Sequence, residues 1–291
     1  MHPAPSVIIF TTMSGLGLGL MVFLGLGFLD VSGFVAFVFV AIAFALLGGG
    51  LLSSLFHLGH PERFIKALRQ WRSSWLSREG VLSFVTMGLF GLYALLWIFW
   101  DMRIGWLGLL AAASALLTVF ATSMIYAQMK SIPRWNSFLT PAMFLLYALA
   151  GGALLAAQSY VAGLLFLLLV PLQVIIWVVG DRAFGATGSD MGTATGLGNL
   201  GKVRLLEKPH SGTNYLMKEM VYVIGRKHAA KLRLFALVFG SLLPASLLLF
   251  FPHSMSIAFA AIAIHLVGLF AQRWLFFAEA EHVVGLYYGQ R

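Results

Sequence analysis

Apolar residues run through this chain in long, nearly uninterrupted blocks, separated by short polar connections on one side and long basic ones on the other. A helix needs about 20 apolar residues to cross a bilayer core. Eight segments fit: Val7–Leu29, Phe34–Phe56, Val81–Trp100, Ile104–Ile125, Thr140–Gln158, Leu164–Val179, Leu232–Phe251 and Ser256–Phe277. The sixth is the shortest and contains Pro171. From Gly15 to Leu20 glycine and leucine alternate, a period of two that suits a strand. The run is too short for a barrel and no other segment repeats it. It reads as a helix whose small residues let neighbours approach closely. Gly48, Gly49 and Gly50 suggest a second close crossing. The expected fold is an all-α integral membrane protein: one transmembrane domain over residues 1–291, a bundle of eight transmembrane helices with an interfacial amphipathic helix.

Eight spans put both termini on one side, together with the loops 57–80, 126–139 and 180–231. That side carries eighteen of the nineteen Lys and Arg residues; Arg103 is the exception. The positive-inside rule makes it the cytoplasmic side. The expected location is the inner (cytoplasmic) membrane, multi-pass, with both termini cytoplasmic. The opposite connections, near Asp30–Gly33, Asp101–Arg103, Ser159–Gly163 and Pro252–Met255, are too short to bind anything large. Loop 180–231 is unusually long for slack and reads as cover for a partner protein.

Composition agrees. The chain is 60% hydrophobic and 10% charged, where soluble domains carry about 25% charged residues. The net charge of +9 follows from topology and attraction to anionic lipid, or from docking an acidic partner; it does not indicate nucleic-acid binding. There is no cysteine, so the chain ligates no iron–sulfur cluster and no Cys-type zinc and forms no disulfide. The opening MHPAPS has no basic n-region, which argues against a cleaved signal peptide. The stretch Gly196–Lys202, GLGNLGK, lacks both the Ser or Thr and the preceding strand of a phosphate-binding loop.

Candidate chemistry gathers between the second and third spans. Pro61 suits the first turn of a helix. Phe64, Leu68, Trp71 and Trp75 then form one helical stripe, with Arg63, Lys66, Arg69 and Arg72 mostly off it. This is the pattern of an interfacial helix, with aromatics at headgroup depth and cations towards phosphate. His57 ends the span before it and Glu79 begins the span after it. Ser83 and Thr86 share a helical face with Glu79. A carboxylate at the rim of a span is costly unless it faces the bundle or a polar cavity. Partial burial favours the protonated form, the property a proton-passing group needs. A neutral imidazole at His57 can hydrogen-bond a quinone carbonyl and give it a proton. The plainer alternatives are a surface Glu79 paired with Arg78 or Arg72, and a His57 that caps its helix. His265 lies deep in the eighth span with Gly268 and Gln272 on its face. No second histidine lies equally deep to complete an axial haem pair. The expectation is that this chain binds no metal and no haem.

Three motifs carry a family resemblance: SLFHLGHPERF with LSREG (residues 54–64 and 76–80), SIPRWNSFLTP (131–141) and RWLFFAEAEH (273–282). Together they resemble the membrane anchor subunit of dimethyl sulfoxide reductase-type molybdenum complexes, over nearly the whole chain. The stretch ATGLGNLGKVRLLEKPHSGTNYLMKEM resembles more closely the anchor of cytoplasmic quinone-linked sulfite dehydrogenase. The resemblance implies an anchor with no metal of its own. It implies partners on one membrane face: an iron–sulfur electron-transfer subunit and a molybdopterin catalytic subunit. It also implies exchange of electrons with a quinone (ubiquinone or menaquinone). The family's quinone-site His and Glu fall on His57 and Glu79. Exported reductases carry their partners on the periplasmic face, whereas the long loops here read as cytoplasmic, which favours the sulfite-oxidising type.

The expected quinone site therefore comprises His57, Trp75, Arg78 and Glu79. His57 and Glu79 exchange protons, Arg78 offsets negative charge, and Trp75 and Trp135 wall the ring. Interfacial tryptophans also serve as lipid anchors. Protons and electrons both come from the cytoplasm, so turnover does not charge the membrane. The chain itself does not act on the sulfur substrate. The alternatives are an anchor of a dimethyl sulfoxide reductase-like complex that oxidises quinol, and a secondary transporter. For a transporter the only hints are Pro171, Gln173, Pro244 and His265, without an inverted repeat.

Overall fold

The computed structural model describes residues 4–56, 60, 64–207, 228–251 and 254–288. In chain order these form α1 (Pro5–Gly25), α2 (Gly33–Leu55), α3 (Phe64–Leu68), α4 (Trp75–Trp100), α5 (Gly105–Ala127), α6 (Leu139–Leu155), α7 (Ser159–Ala186) and α8 (Met191–Thr195). A short 3₁₀ turn, Gly198–Leu200, follows. Then come α9 (Ala229–Leu237), a π-helical turn (Val238–Leu242), α10 (Leu243–Phe250), α11 (Met255–Ala278) and a 3₁₀ segment (Val283–Tyr288). Among the described residues the regular structure is all helical. Seven helices there are long and apolar enough to cross a membrane, with Ala229–Phe250 counted as one. The remaining predicted span is α6, an apolar helix of 17 residues.

Helix α1 is the centre of the bundle, packed by α2, α4, α5, α6 and α11. Its glycines explain how. A Cβ on Gly19 would overlap the carbonyl oxygen of Ala148 on α6, so only glycine allows that crossing. The Gly–Leu alternation is thus a helix with a bare edge, as its small residues predict.

The seventh span is interrupted by Pro244. Proline has no N–H, so the Gly240 carbonyl loses its helical donor and the backbone there opens into a π turn. His265 of α11 replaces that donor: its Nδ1 lies 2.8 Å from Gly240 O. Since a carbonyl only accepts, the imidazole proton sits on Nδ1. Gly268 lets the two helices touch, for a Cβ there would collide with Gly240 N. A buried histidine at mid-span is therefore explained by a proline on the neighbouring helix.

Several boundaries differ from expectation; α1 ends at Gly25 rather than Leu29, and α7 starts at Ser159, so the expected connection Ser159–Gly163 is the first turn of a helix. The amphipathic helix predicted from Pro61 to Trp75 is only Phe64–Leu68 among the described residues. The backbone N–H groups of Ser73 and Ser74 both bond to Gln70 O, closing a turn that breaks the stripe and leaves Trp71 outside any helix. Ser74 then caps α4, accepting from Ser77 N at 3.4 Å, so the third span starts at Trp75 rather than Val81. Helix α7 has 28 residues, passes through Pro171 and runs to Ala186, beyond the expected loop start at Gly180.

Charge pairing permits that extension. Asp181 accepts from Arg233 at 2.7 and 2.5 Å and from Arg134 at 2.5 Å. Glu279, at the end of α11, accepts from Arg233 Nε at 2.7 Å and lies 3.6 Å from Arg134 Nη1. Two cations and two anions thus close a ring joining the 131–141 segment, α7, α9 and α11. Trp135 reinforces it: its indole N–H donates to Phe276 O at 2.9 Å, and its ring stacks on Phe276 at 5.2 Å.

Candidate functional site

Helices α4 and α5 face each other across a seam of hydroxyl groups in an otherwise apolar contact. On α4 the i, i+4, i+7 spacing places Glu79, Ser83 and Thr86 on one buried face. On α5, Ser114, Thr118 and Thr122 recur every fourth residue and are also buried. Thr86 and Thr118 share a hydrogen bond of 3.0 Å, and Ser83 Oγ donates to Glu79 O at 2.8 Å. At one end of the seam the Thr122 hydroxyl donates to the Glu79 carboxyl oxygen Oε1. Glu79 is 4% exposed. The alternative of a surface glutamate paired with Arg78 or Arg72 is thereby removed.

Arg78 is spent differently. Its Nε donates to Trp71 O at 3.0 Å and its Nη2 to Arg72 O at 2.8 Å, so it satisfies carbonyls of the turn before α4. Its guanidinium lies 4.3 Å from the Trp75 ring centroid, and Trp75 meets Phe120 of α5 edge-on at 5.8 Å. Trp75 and Arg78 thus form one stacked unit at the entrance to α4, within one turn of Glu79. Trp135 is 8% exposed and sits in an aromatic cluster with Tyr126, Phe144, Phe276 and Phe277. Tyr126 lies one turn beyond Thr122, so Trp135 adjoins the carboxylate through two residues of α5. His57 lies outside the described residues.

Two groups escape the sequence reading. Thr122 holds the carboxylate, and its only signal is the four-residue spacing of hydroxyls in the fourth span. Arg273 counts with the basic face by sequence, yet it is buried at 2% exposure inside the bundle. Its guanidinium lies 4.1 Å from the Phe144 ring centroid and 5.4 Å from that of Tyr147. The signal that could have found it is its place within an apolar span, where a cation is expensive and calls for a reason.

A buried carboxyl held by one hydroxyl, next to an aromatic ring under a cation, is suited to exchanging a proton with a planar carbonyl compound. Comparison with known proteins narrows the setting. A family model described as DMSO reductase anchor subunit (DmsC) matches residues 1–277. The chain is 32% identical to a sulfite dehydrogenase subunit of Allochromatium vinosum, covering 99% of both sequences. It is 34% identical to a subunit of the anaerobic dimethyl sulfoxide reductase of Haemophilus influenzae, over 38% of this sequence and 41% of that one. The counterpart from Escherichia coli is 29% identical over 51% of this sequence and 54% of its own. No solved structure matches. Helices long enough to span a bilayer and a family match over nearly all the sequence lead to one conclusion: the chain belongs to the DMSO reductase anchor subunit family and is a multi-pass membrane anchor subunit.

Proposed function

We propose that this chain is the quinone-reactive anchor of a molybdopterin and iron–sulfur oxidoreductase, of the kind that oxidises sulfite and passes the electrons to membrane quinone. The observation that carries the reading is the buried Glu79–Thr122 pair at the end of a hydroxyl-lined seam. The full-length similarity to a sulfite dehydrogenase subunit supports the substrate side, whereas the relatives named for dimethyl sulfoxide reductase match only part of the chain. The partners are an iron–sulfur subunit and a molybdopterin subunit on the basic face. That face is cytoplasmic by the positive-inside rule, and the membrane is the inner one. The chain has eight spans, with α6 as the shortest; 17 residues lie at the lower end of what crosses a bilayer.

A bound quinone supplies two-electron, two-proton redox chemistry. The protein's own groups supply geometry and protons. Glu79 gives or takes a proton at its carboxyl oxygen. Thr122 fixes that oxygen's position, and the surrounding apolar helices exclude bulk water. Trp75 offers a ring face, and Arg78, clamped by the Trp71 and Arg72 carbonyls, keeps that ring in place and lends positive charge to the rim. His57 is the second proton-exchanging group, assigned from sequence alone. Trp135 supports the site from behind Tyr126. Protons and electrons both enter from the cytoplasmic side, so turnover is electroneutral.

The test is purification of the intact complex from membranes. The two partner subunits and bound quinone should copurify with the chain, and sulfite should reduce added quinone. A Glu79→Gln complex should assemble and fail to reduce quinone. Full reduction by that variant would refute the assignment.

A further inference from the structure

Arg273 and Glu79 belong to one polar layer. Glu79 is the fifth residue of α4, while Thr122 and Arg273 are each sixth from the C-terminal ends of α5 and α11. At 1.5 Å per residue all three lie roughly 6–8 Å below the helix ends. Thr122 and Arg273 both line a cavity of about 10 Å³, together with Thr11, Ser14, Gly15 and Phe144 among others, and Glu79 adjoins it through Thr122. Nε and Nη1 of Arg273 have no hydrogen-bond partner among the described residues, although the side chain is 2% exposed. The faces of Phe144 and Tyr147 attract the cation but accept no conventional hydrogen bond. A buried guanidinium in that state calls for an acceptor.

The lining defines that acceptor. Three hydroxyl-bearing residues line the cavity, and each has committed its proton elsewhere. Thr11 donates to Val7 O and Ile8 O, Ser14 to Phe10 O, and Thr122 to Glu79 and Thr118 O. They offer the cavity lone pairs, while Arg273 offers N–H groups. A fitting ligand must accept from a cation, donate to hydroxyl oxygens and be about one heavy atom in size. Water does all three, and the volume is close to the roughly 10–15 Å³ that one water needs. A chloride ion cannot donate, and a quinone ring is far too large.

We propose that a single water, held by Arg273 and Thr122, relays protons to Glu79. The proposal rests on the reading of Glu79 as the proton-exchanging group. In the step, Thr122 passes its hydroxyl proton to the Glu79 carboxylate and takes one from the water. A proton from the cytoplasmic side restores the water, so one proton moves and no electron does. Arg273 is a positioning residue. Its charge stabilises the water oxygen as it gives up a proton, and opposes an extra proton resting there.

The first test is a cryo-EM map of the whole complex at a resolution that shows ordered water. Density within hydrogen-bonding distance of both Arg273 and Thr122 is expected; a dry cavity overturns the proposal. This measurement needs no variant. The second uses Gly15→Ala, where the cavity wall has room because a Cβ on Gly15 meets no atom within 4 Å. Filling the cavity should remove the density and slow quinone reduction at least about tenfold, without weakening quinone binding. Arg273→Lys should keep the water and most of the rate, and Arg273→Met should lose both. An undiminished rate in assembled Gly15→Ala, with the cavity shown to be filled, overturns the relay. Normal turnover in Glu79→Gln would instead defeat the parent reading and leave the water density standing.

Discussion

Two buried glutamates, Glu79 and Glu279, lie towards the same end of this bundle and have opposite surroundings. They are almost equally buried, at 4% and 5% exposure. Glu279 meets two guanidinium groups, Arg233 and Arg134, which also share Asp181. Its charge is cancelled locally, and its work is to tie α11 to α7, α9 and the 131–141 segment. Glu79 meets a threonine hydroxyl and, among the described residues, no cation within ion-pair distance. A carboxyl held by a hydroxyl can gain or lose a proton without breaking a charge pair. Burial alone therefore does not mark the chemistry of a membrane helix; the kind of partner does.

That contrast can be broken in several ways. Glu279→Gln should have the largest effect on stability, about 3 kcal/mol, because it leaves two guanidinium groups sharing one carboxylate. A thermal unfolding scan of the detergent-solubilised complex measures it, and quinone turnover per assembled complex should be unchanged. Thr122→Val should cost about 1–2 kcal/mol and slow quinone reduction about tenfold, because the carboxyl loses its fixed donor. Thr122→Ser, which keeps the hydroxyl, should recover most of the rate. His265→Ala should cost about 1–2 kcal/mol through the exposed Gly240 carbonyl and leave turnover intact. A turnover defect there would mean that mid-span chemistry has been missed. Trp135→Phe should be mildest, about 1 kcal/mol for the lost bond to Phe276 O, read as a small drop in unfolding temperature.

Much of this was legible in the chain. Period and length gave the helices, and glycine placement gave the close crossings. Helical spacing put Glu79, Ser83 and Thr86 on one face. What escaped has physical causes. Asp181 and Arg182 look like the end of a span, yet Asp181 is neutralised by arginines distant in sequence, so α7 continues past it. The stripe from Phe64 to Trp75 has helical spacing, but a turn at Gln70 overrides it. Arg273 shows its sign in the sequence, and its depth only through its place inside the eighth apolar span. Which helix lies at the centre depends on Gly19 meeting Ala148, a match between two segments that neither records alone.

The most direct measurement of the central claim is the rate at which membrane quinone reoxidises the partner's iron–sulfur clusters. It is followed spectroscopically in membranes carrying the intact complex with Glu79→Gln or Glu279→Gln. A proton-exchanging role for Glu79 predicts a slowing of about 100-fold or more for Glu79→Gln, with the complex still membrane-bound, and a wild-type rate per complex for Glu279→Gln. A wild-type rate in Glu79→Gln, or an equal loss in both variants, would contradict it.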